Sequence, residues 1–391
     1  MTHTKRALAA AALTATLLAG ALPAAAASDV FRVTTVDDAL RAAASARVDA
    51  MSLRERAASI VMGHIPTTDA AQARAYLDES GIGGFILMGA NIGPTEGAVR
   101  AFTAALSADA EILPLIAIDQ EGGIVSRLPW DDFASPRTLR TAPVAETREA
   151  FAARGALVAR AGANLNFGVI ADYTADTGSF IYPRTLGDTP EASAERVVAA
   201  AEAEAGVVAT TIKHFPGHGA APGDSHTMIP HTTMSLDDWR ATEAVPFAAG
   251  IEAGVPIVMF GHLAYTEIDA LPASLSPRWH EILRQDLGFE GVAVTDDLGM
   301  LQASGLAEYA DPVANAVRAV AAGNDLVLSI MFTDASTADT LVTGLVAAVE
   351  SGELPADRLR QAAWRVMTLR LAETARGATM QPCPECAPVA P

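Results

Sequence analysis

Along the chain, short continuous apolar runs rich in Val and Ile alternate with longer Ala-rich segments whose apolar positions recur every three or four residues. The runs are Ser59–Ile65, Gly83–Met88, Pro114–Asp119, Ala163–Ala171, Val207–His214, Pro256–His262, Gly291–Asp296 and Asn324–Ile330. An unbroken apolar run is what a strand buried on both faces requires, and such strands belong to parallel sheets. The segments between them read as amphipathic helices: Glu96–Ala108, Glu149–Ala161, Glu191–Ala205, Leu236–Ala253 and Asp311–Ala322, many closing at a glycine. A helix from Val36 to Ala44 or beyond and a helical start at Ser52-Leu53-Arg54-Glu55-Arg56 precede the first strand. Strand and helix alternating eight times predict an α/β fold, a single (β/α)8 TIM-type barrel. A doubly wound open sheet is the runner-up. Residues from Asp339 to Thr374 read as two closing helices, so the barrel is expected over 28–376, followed by a flexible Pro-rich tail, 377–391.

The N-terminus breaks this pattern. Lys5 and Arg6, an apolar stretch from Ala7 to Leu22 and the run Ala24-Ala25-Ala26-Ala27 form a cleavable signal peptide over 1–27. The stretch is shorter than the roughly 20 residues a membrane span needs. Leu17-Leu18-Ala19-Gly20 is followed by Ala21 where a lipid-bearing cysteine would stand. The expectation is a secreted protein with no membrane anchor. Removing 1–27 takes away Lys5 and Arg6 and no acid, which moves the net charge from −19 to −21. So acidic a chain excludes nucleic acid and anionic lipid as partners. The only cysteines, Cys383 and Cys386, lie among prolines in the tail and read as a local disulfide.

Polar residues gather at one end of the predicted strands. Asp119-Gln120-Glu121-Gly122-Gly123 ends the third, Asp172 the fourth, Lys213-His214 the fifth, His262 the sixth and Asp296-Asp297 the seventh. In a barrel those are the C-terminal ends, where active sites are built. The densest stretch is Lys213-His214-Phe215-Pro216-Gly217-His218-Gly219, running on to Asp224-Ser225-His226. With His231 it carries four of the chain's eight histidines.

Three chemistries use such residues. A zinc site is disfavoured because Pro216-Gly217 breaks the helix that would put His214 and His218 on one face, so no metal is expected. A Ser-His-Asp triad is set aside because Asp224, Ser225 and His226 are adjacent and no G-x-S-x-G elbow is present. Glycoside hydrolysis needs a carboxylate beside the anomeric carbon and a proton donor beside the leaving oxygen. Asp296 is placed for the first task. His226, with Asp224 to hold its imidazole, suits the second.

The chain resembles glycoside hydrolase family 3, in particular its bacterial β-N-acetylglucosaminidase branch. The likeness rests on Ile118-Asp119-Gln120-Glu121-Gly122-Gly123, Arg184-Thr185-Leu186-Gly187-Asp188, the Lys213 to His226 loop, Pro272-Ala273-Ser274-Leu275-Ser276, Leu283-Arg284, Leu287-Gly288-Phe289, Thr295-Asp296-Asp297-Leu298 and Ala322-Gly323-Asn324-Asp325. It implies a nucleophile at Asp296, an acid/base dyad at Asp224 and His226, and sugar-holding residues at Asp119, Arg184, Lys213 and His214. Thr185 and Leu186 depart from the family's Ser and Phe, which touches the packing behind Arg184. The resemblance implies a retaining exo-β-N-acetylglucosaminidase without cofactor, acting as a monomer on small glycans with a terminal N-acetylglucosamine, such as cell-wall fragments. A phosphorylase or β-glucosidase of the same family, and a wall-binding protein on an inactive barrel, are the alternatives. Asp297 is read as a helix cap, His218 and His231 as loop-ordering residues, and His262 as pocket floor or core.

Overall fold

The computed structural model describes residues 38–379. The signal peptide, the start of the first helix and the cysteine pair lie outside the described residues. Within them are eight parallel strands: β1 (Val61–Gly63), β2 (Gly84–Leu87), β3 (Leu115–Ile118), β4 (Leu165–Ile170), β5 (Ala209–Phe215), β6 (Ile257–Phe260), β7 (Val292–Asp297) and β8 (Leu326–Leu328). Each pairs with its neighbours in sequence, and β8 pairs back onto β1 through Val61↔Val327 and Met62↔Leu328. That last pairing closes the predicted (β/α)8 barrel and rules out the open sheet.

Helices cover the outside, and their ends follow the sequence signals. Ser52 caps the helix Leu53–Ser59 in a reciprocal capping box with Glu55. Asp69 caps Ala70–Ser80, which stops at Gly81 with φ of 68°. One helix departs from expectation. The segment read as Leu236–Ala253 is two helices, Leu236–Ala241 and Ala244–Glu252. Pro246 has no N–H to offer the Thr242 carbonyl four residues back, and its ring crowds that carbonyl, so the helix breaks there. The break turns Glu243 inward, where it is 2% exposed. At the far end of the chain, the second closing helix runs Ala356–Thr379 and takes in the first residues of the segment read as tail.

The strand residues are almost wholly buried, and the interior is apolar apart from its two ends. At the N-terminal end, Asp325 Oδ2 accepts from Arg284 at 2.6 Å and from Ala293 N–H at 3.0 Å, while Oδ1 accepts from Arg358 at 2.8 Å and Arg365 at 3.2 Å. Burial pushes this carboxyl's pKa up, and the three guanidiniums reverse the effect and hold it below the usual range. It knots β7, β8 and the last helix together. The pairing register shifts toward the opposite end, between Asn166 and Val169, Ile212 and Phe215, and Val294 and Asp297. Such irregularities re-aim side chains, and here they fall beside the polar strand ends.

Candidate active site

The site is built outward from β5, whose last residue is its anchor. Phe215 is fully buried, edge-on to Trp239, Phe247, Phe260 and Trp279, with ring centroids 5.0–6.0 Å apart. Beyond it, the Pro216 carbonyl accepts from Trp239 Nε1 at 2.8 Å and the Gly217 carbonyl from Tyr265 Oη at 2.7 Å. Gly217 has φ of 130°, and a Cβ on Gly219 would lie 1.6 Å from the Tyr173 carbonyl oxygen, so the turn passes only as glycine.

Just before this anchor, Lys213 and His214 enter a charged cluster. Lys213 Nζ donates to Asp119 Oδ1 at 2.8 Å and lies 2.9 Å from Glu121 Oε1. Arg184 grips Glu121 with both arms of its guanidinium, at 2.8 and 2.7 Å. Arg127 donates to the other oxygen of Asp119 at 3.2 Å. Burial favours the neutral form of each acid, but the cations prevail. Lys213 and Arg127 hold Asp119 at a pKa of about 2, and Arg184 and Lys213 hold Glu121 below its usual value. Both are carboxylates at any working pH, able to accept from sugar hydroxyls.

His214 lies between this cluster and Asp296. Asp172, fully buried at the end of β4, accepts from His214 Nδ1 at 2.6 Å through Oδ2, and through Oδ1 from the backbone N–H groups of His214 at 3.1 Å and His218 at 2.6 Å. Burial, then the Arg184 guanidinium, push the His214 pKa well down, so the ring is neutral. With its proton on Nδ1, facing Asp172, Nε2 is an acceptor. Nε2 stands 3.9 Å from Asp296 Oδ2 and 3.4 Å from an Arg184 nitrogen. Asp296 is partly open, its side chain 18% exposed. Burial pushes its pKa up, but the Lys213 charge and an N–H bond from Asp297 at 2.8 Å hold it below its usual value. An ionised, partly open carboxylate is what attack on an electron-poor anomeric carbon calls for.

Asp224 and His226 form a separate unit. Asp224 Oδ1 accepts from His226 Nδ1 at 2.6 Å and from its N–H at 3.0 Å. Nε2 takes no part in either bond. Their side chains are 45% and 56% exposed, and no hydrogen bond joins them to Asp296 among the described residues. Between them Ser225 points the other way, buried, with its hydroxyl 2.9 Å from His218 Nε2. His218 in turn packs its ring edge-on to Phe180 and gives its N–H to Asp172.

The structure thus brings Asp119, Arg184, Lys213, His214 and Asp296 into one connected cluster and keeps Asp224 and His226 as a pair on the loop above. His262 is buried, bonded to Ser274 Oγ at 2.6 Å and the Asp297 carbonyl at 2.9 Å. Asp297 accepts from Gly299 N–H at 3.0 Å at the start of the next helix, and also from Ile330 and Met331 N–H, both at 2.8 Å. His231 sits exposed in a two-residue strand beside Ala264.

Sequence reasoning passed over Glu121, Arg127 and Glu243, and it gave Asp172 no role. Glu121 was legible: two residues past Asp119 in extended chain, it faces the same way. Glu243 lies where a Cβ on Gly217 would be, and burial pushes its pKa well up, so it supports the loop as a neutral acid. The rings of His214 and His218 meet different partners, Asp172 and Ser225, rather than one point. Among the described residues no three His, Cys, Asp or Glu side chains group as metal ligands.

Residues 52–369 match the glycosyl hydrolase family 3 N-terminal domain. The β-hexosaminidase of Xanthomonas oryzae pv. oryzae is 35% identical over 262 residues, which cover 63% of this chain and 78% of that protein. A glycoside hydrolase family 3 β-N-acetylglucosaminidase from Paenibacillus sp. str. FPU-7 superposes with a TM-score of 0.76 at 31% identity, over 87% of this chain. The chain spans 64% of that larger protein. The β-N-acetylhexosaminidase of Beutenbergia cavernae superposes with a TM-score of 0.70 at 28% identity, over 82% of this chain and 98% of the other.

Proposed function

Since the chain belongs to glycosyl hydrolase family 3 and is a glycoside hydrolase, we propose that it is an exported, retaining exo-β-N-acetylglucosaminidase. Its substrate is a terminal β-linked N-acetylglucosamine on cell-wall fragments or related glycans. The observation that carries this reading is the division of the site into a partly open, ionised Asp296 beside the Asp119–Arg184–Lys213–His214 cluster and an exposed Asp224–His226 pair.

Asp296 attacks the anomeric carbon and forms a covalent glycosyl-enzyme, while His226 gives its Nε2 proton to the departing oxygen. Water then attacks from the side the leaving group vacated. His226 takes its proton, and the sugar leaves with its configuration retained. Asp224 steadies the imidazolium that donates in the first step and is restored in the second; between them the ring is neutral, ready to act as base. Asp119, Arg184 and Lys213 bind hydroxyl and acetamido oxygens, and His214 Nε2 accepts from a hydroxyl. Pairing the cations with Glu121 and Asp119 orders their side chains before substrate arrives, which lowers the cost of binding. The signal peptide over 1–27 takes the enzyme out of the cytoplasm, where cell-wall fragments are met.

The test is a panel of aryl β-glycosides assayed with and without inorganic phosphate. The expected outcome is fastest turnover of the N-acetylglucosaminide, with free N-acetylglucosamine as product under both conditions. Equal or faster turnover of the glucoside assigns the chain to the β-glucosidases instead. Sugar 1-phosphate as the main product makes it a phosphorylase, since a histidine donor does not repel a phosphate dianion as a carboxylate would. No turnover of any aryl glycoside leaves a wall-binding protein.

A further inference from the structure

Among the described residues, the large hydrophobic side chains standing in water are Ile124, Met228, Leu306 and Phe332, at 70%, 41%, 46% and 68% exposure. Ile124 tops the hairpin that leaves β3, between Gln120–Gly122 and Val125–Ser126. Met228 follows His226 in the loop leaving β5. Leu306 follows the short helix Gly299–Ala303 after β7, and Phe332 lies in the turn leaving β8. These loops all spring from the C-terminal ends of barrel strands, the end that holds Asp296. An exposed apolar ring on a loop at that end is placed to meet what the cleft binds.

Phe332 is the member with the most structure behind it. Its φ is 59°, and Asp109 is the only other non-glycine residue with positive φ among those described. An aspartate tolerates that region, whereas a bulky side chain there is an outlier that persists only where the surroundings impose it. Here they do. On one side, Asp297, next to Asp296, takes the N–H groups of Ile330 and Met331 at 2.8 Å each. On the other, Thr333 Oγ1 bonds to the His64 carbonyl at 3.2 Å and the Ile330 carbonyl at 2.7 Å. The phenyl therefore gains no burial, sits on a strained backbone, and is clamped to the same segment that presents Asp296. Glycine would relieve the backbone at once.

We propose that Phe332 is the platform of a leaving-group subsite, and that its occupant is the pyranose ring attached to the departing oxygen. A pyranose carries its hydroxyls round its edge and shows C–H groups on its faces. A phenyl ring held in place offers those C–H groups a negative π face and an apolar surface. The inference rests on the exo-hexosaminidase reading and deepens it. The cluster around Asp119 and Arg184 recognises the sugar being cut, whereas Phe332 recognises the sugar it is cut from.

The experiment compares wild type, Phe332→Gly, Phe332→Leu and Phe332→Trp on two donors. One is N,N′-diacetylchitobiose, whose leaving group is a pyranose; the other is N-acetyl-β-glucosaminyl fluoride, whose leaving group has no ring. Phe332→Gly and Phe332→Leu are expected to lower kcat/KM on the disaccharide by about 3- to 10-fold, the range of an aromatic contact, and to leave the fluoride within about two-fold. Phe332→Trp keeps the disaccharide rate, and Phe332→Gly unfolds no earlier than wild type. Equal changes on both donors, or an unchanged disaccharide rate in Phe332→Gly, overturn the inference. Wild type turning over neither donor overturns it together with the hexosaminidase reading, whereas an active wild type with an indifferent Phe332→Gly overturns this inference alone.

Discussion

Asp172 touches no expected substrate atom, yet it aims the residue that does, and Asp172→Asn tests how much that aim is worth. The substitution keeps the side chain's shape and removes its charge. The amide oxygen can still accept from the N–H groups of His214 and His218, now 3.1 and 2.6 Å from Oδ1. The NH2 group must then take the place of Oδ2, 2.6 Å from His214 Nδ1, where a proton already points. Two donors cannot share that contact, so the ring moves its proton to Nε2 or swings away. A protonated Nε2 turns a donor toward the Arg184 nitrogen 3.4 Å off and no longer accepts a hydroxyl. Rotating the amide the other way sets its NH2 against two backbone N–H groups, which is worse. The wild-type bond is a hydrogen bond to a charged group, worth about 1.5–3 kcal/mol, or about 10- to 150-fold in kcat/KM. The assay is steady-state hydrolysis of an aryl N-acetylglucosaminide, beside thermal unfolding of both proteins. Asp172→Asn should unfold near the wild-type temperature, because burial already disfavours the Asp172 charge. Activity within about two-fold of wild type in a normally folded variant would refute the role given to Asp172.

Two substitutions separate the halves of the chemistry. Asp296→Ala should end turnover of every substrate, and substantial residual hydrolysis moves the nucleophile elsewhere. His226→Ala should slow a sugar leaving group by about 10²- to 10⁴-fold and an activated aryl group far less, so equal losses on both contradict the acid role. Stability should also vary with pH in an unusual direction. Burial raises Glu204 and Glu373 to about 7 and Asp297 to about 6. These groups keep a proton in the fold that the unfolded chain has lost, so their contribution is full below the unfolded pKa and fades as pH rises toward 7. Asp119, held at about 2, works the other way, present above its unfolded pKa of 3.8 and lost as pH falls toward 2. The buried His214 and His280, pushed down by burial, stay neutral in the fold and lose stability as pH falls below the unfolded histidine value of about 6.5. The unfolding temperature should therefore form a broad maximum between about pH 5 and pH 6.5, and a maximum above pH 7 would contradict this account. Glu204→Gln keeps partners for Asn166 and Thr210 and should flatten the alkaline limb by about 3 kcal/mol, taking 1.36 kcal/mol per pKa unit.

The barrel was legible because strands buried on both faces carry no charged residue until the chain reaches the mouth. Asp119, Lys213 and Asp296 stand out for the same reason. What linear spacing could not show was pairing. Arg184 meets Glu121 across 63 positions and Lys213 meets Asp119 across 94, and local periodicity does not encode such contacts. Pro246 did signal the helix break, but its consequence, a neutral Glu243 under Gly217, exists only in three dimensions. Phe332 was invisible for a different reason: a phenylalanine in an apolar chain attracts no notice until its exposure and backbone angle are known.

The outward pair and the inward serine of the Asp224-Ser225-His226 stretch put the two ends of one reaction in different media. In the proposed mechanism Asp296 works among neighbours fixed by the barrel, with its side chain 18% exposed. His226 works in water, within reach of salt, cosolvent and anything that crowds the mouth. On that mechanism, salt and cosolvent should bear more on the proton-transfer half than on the attacking half.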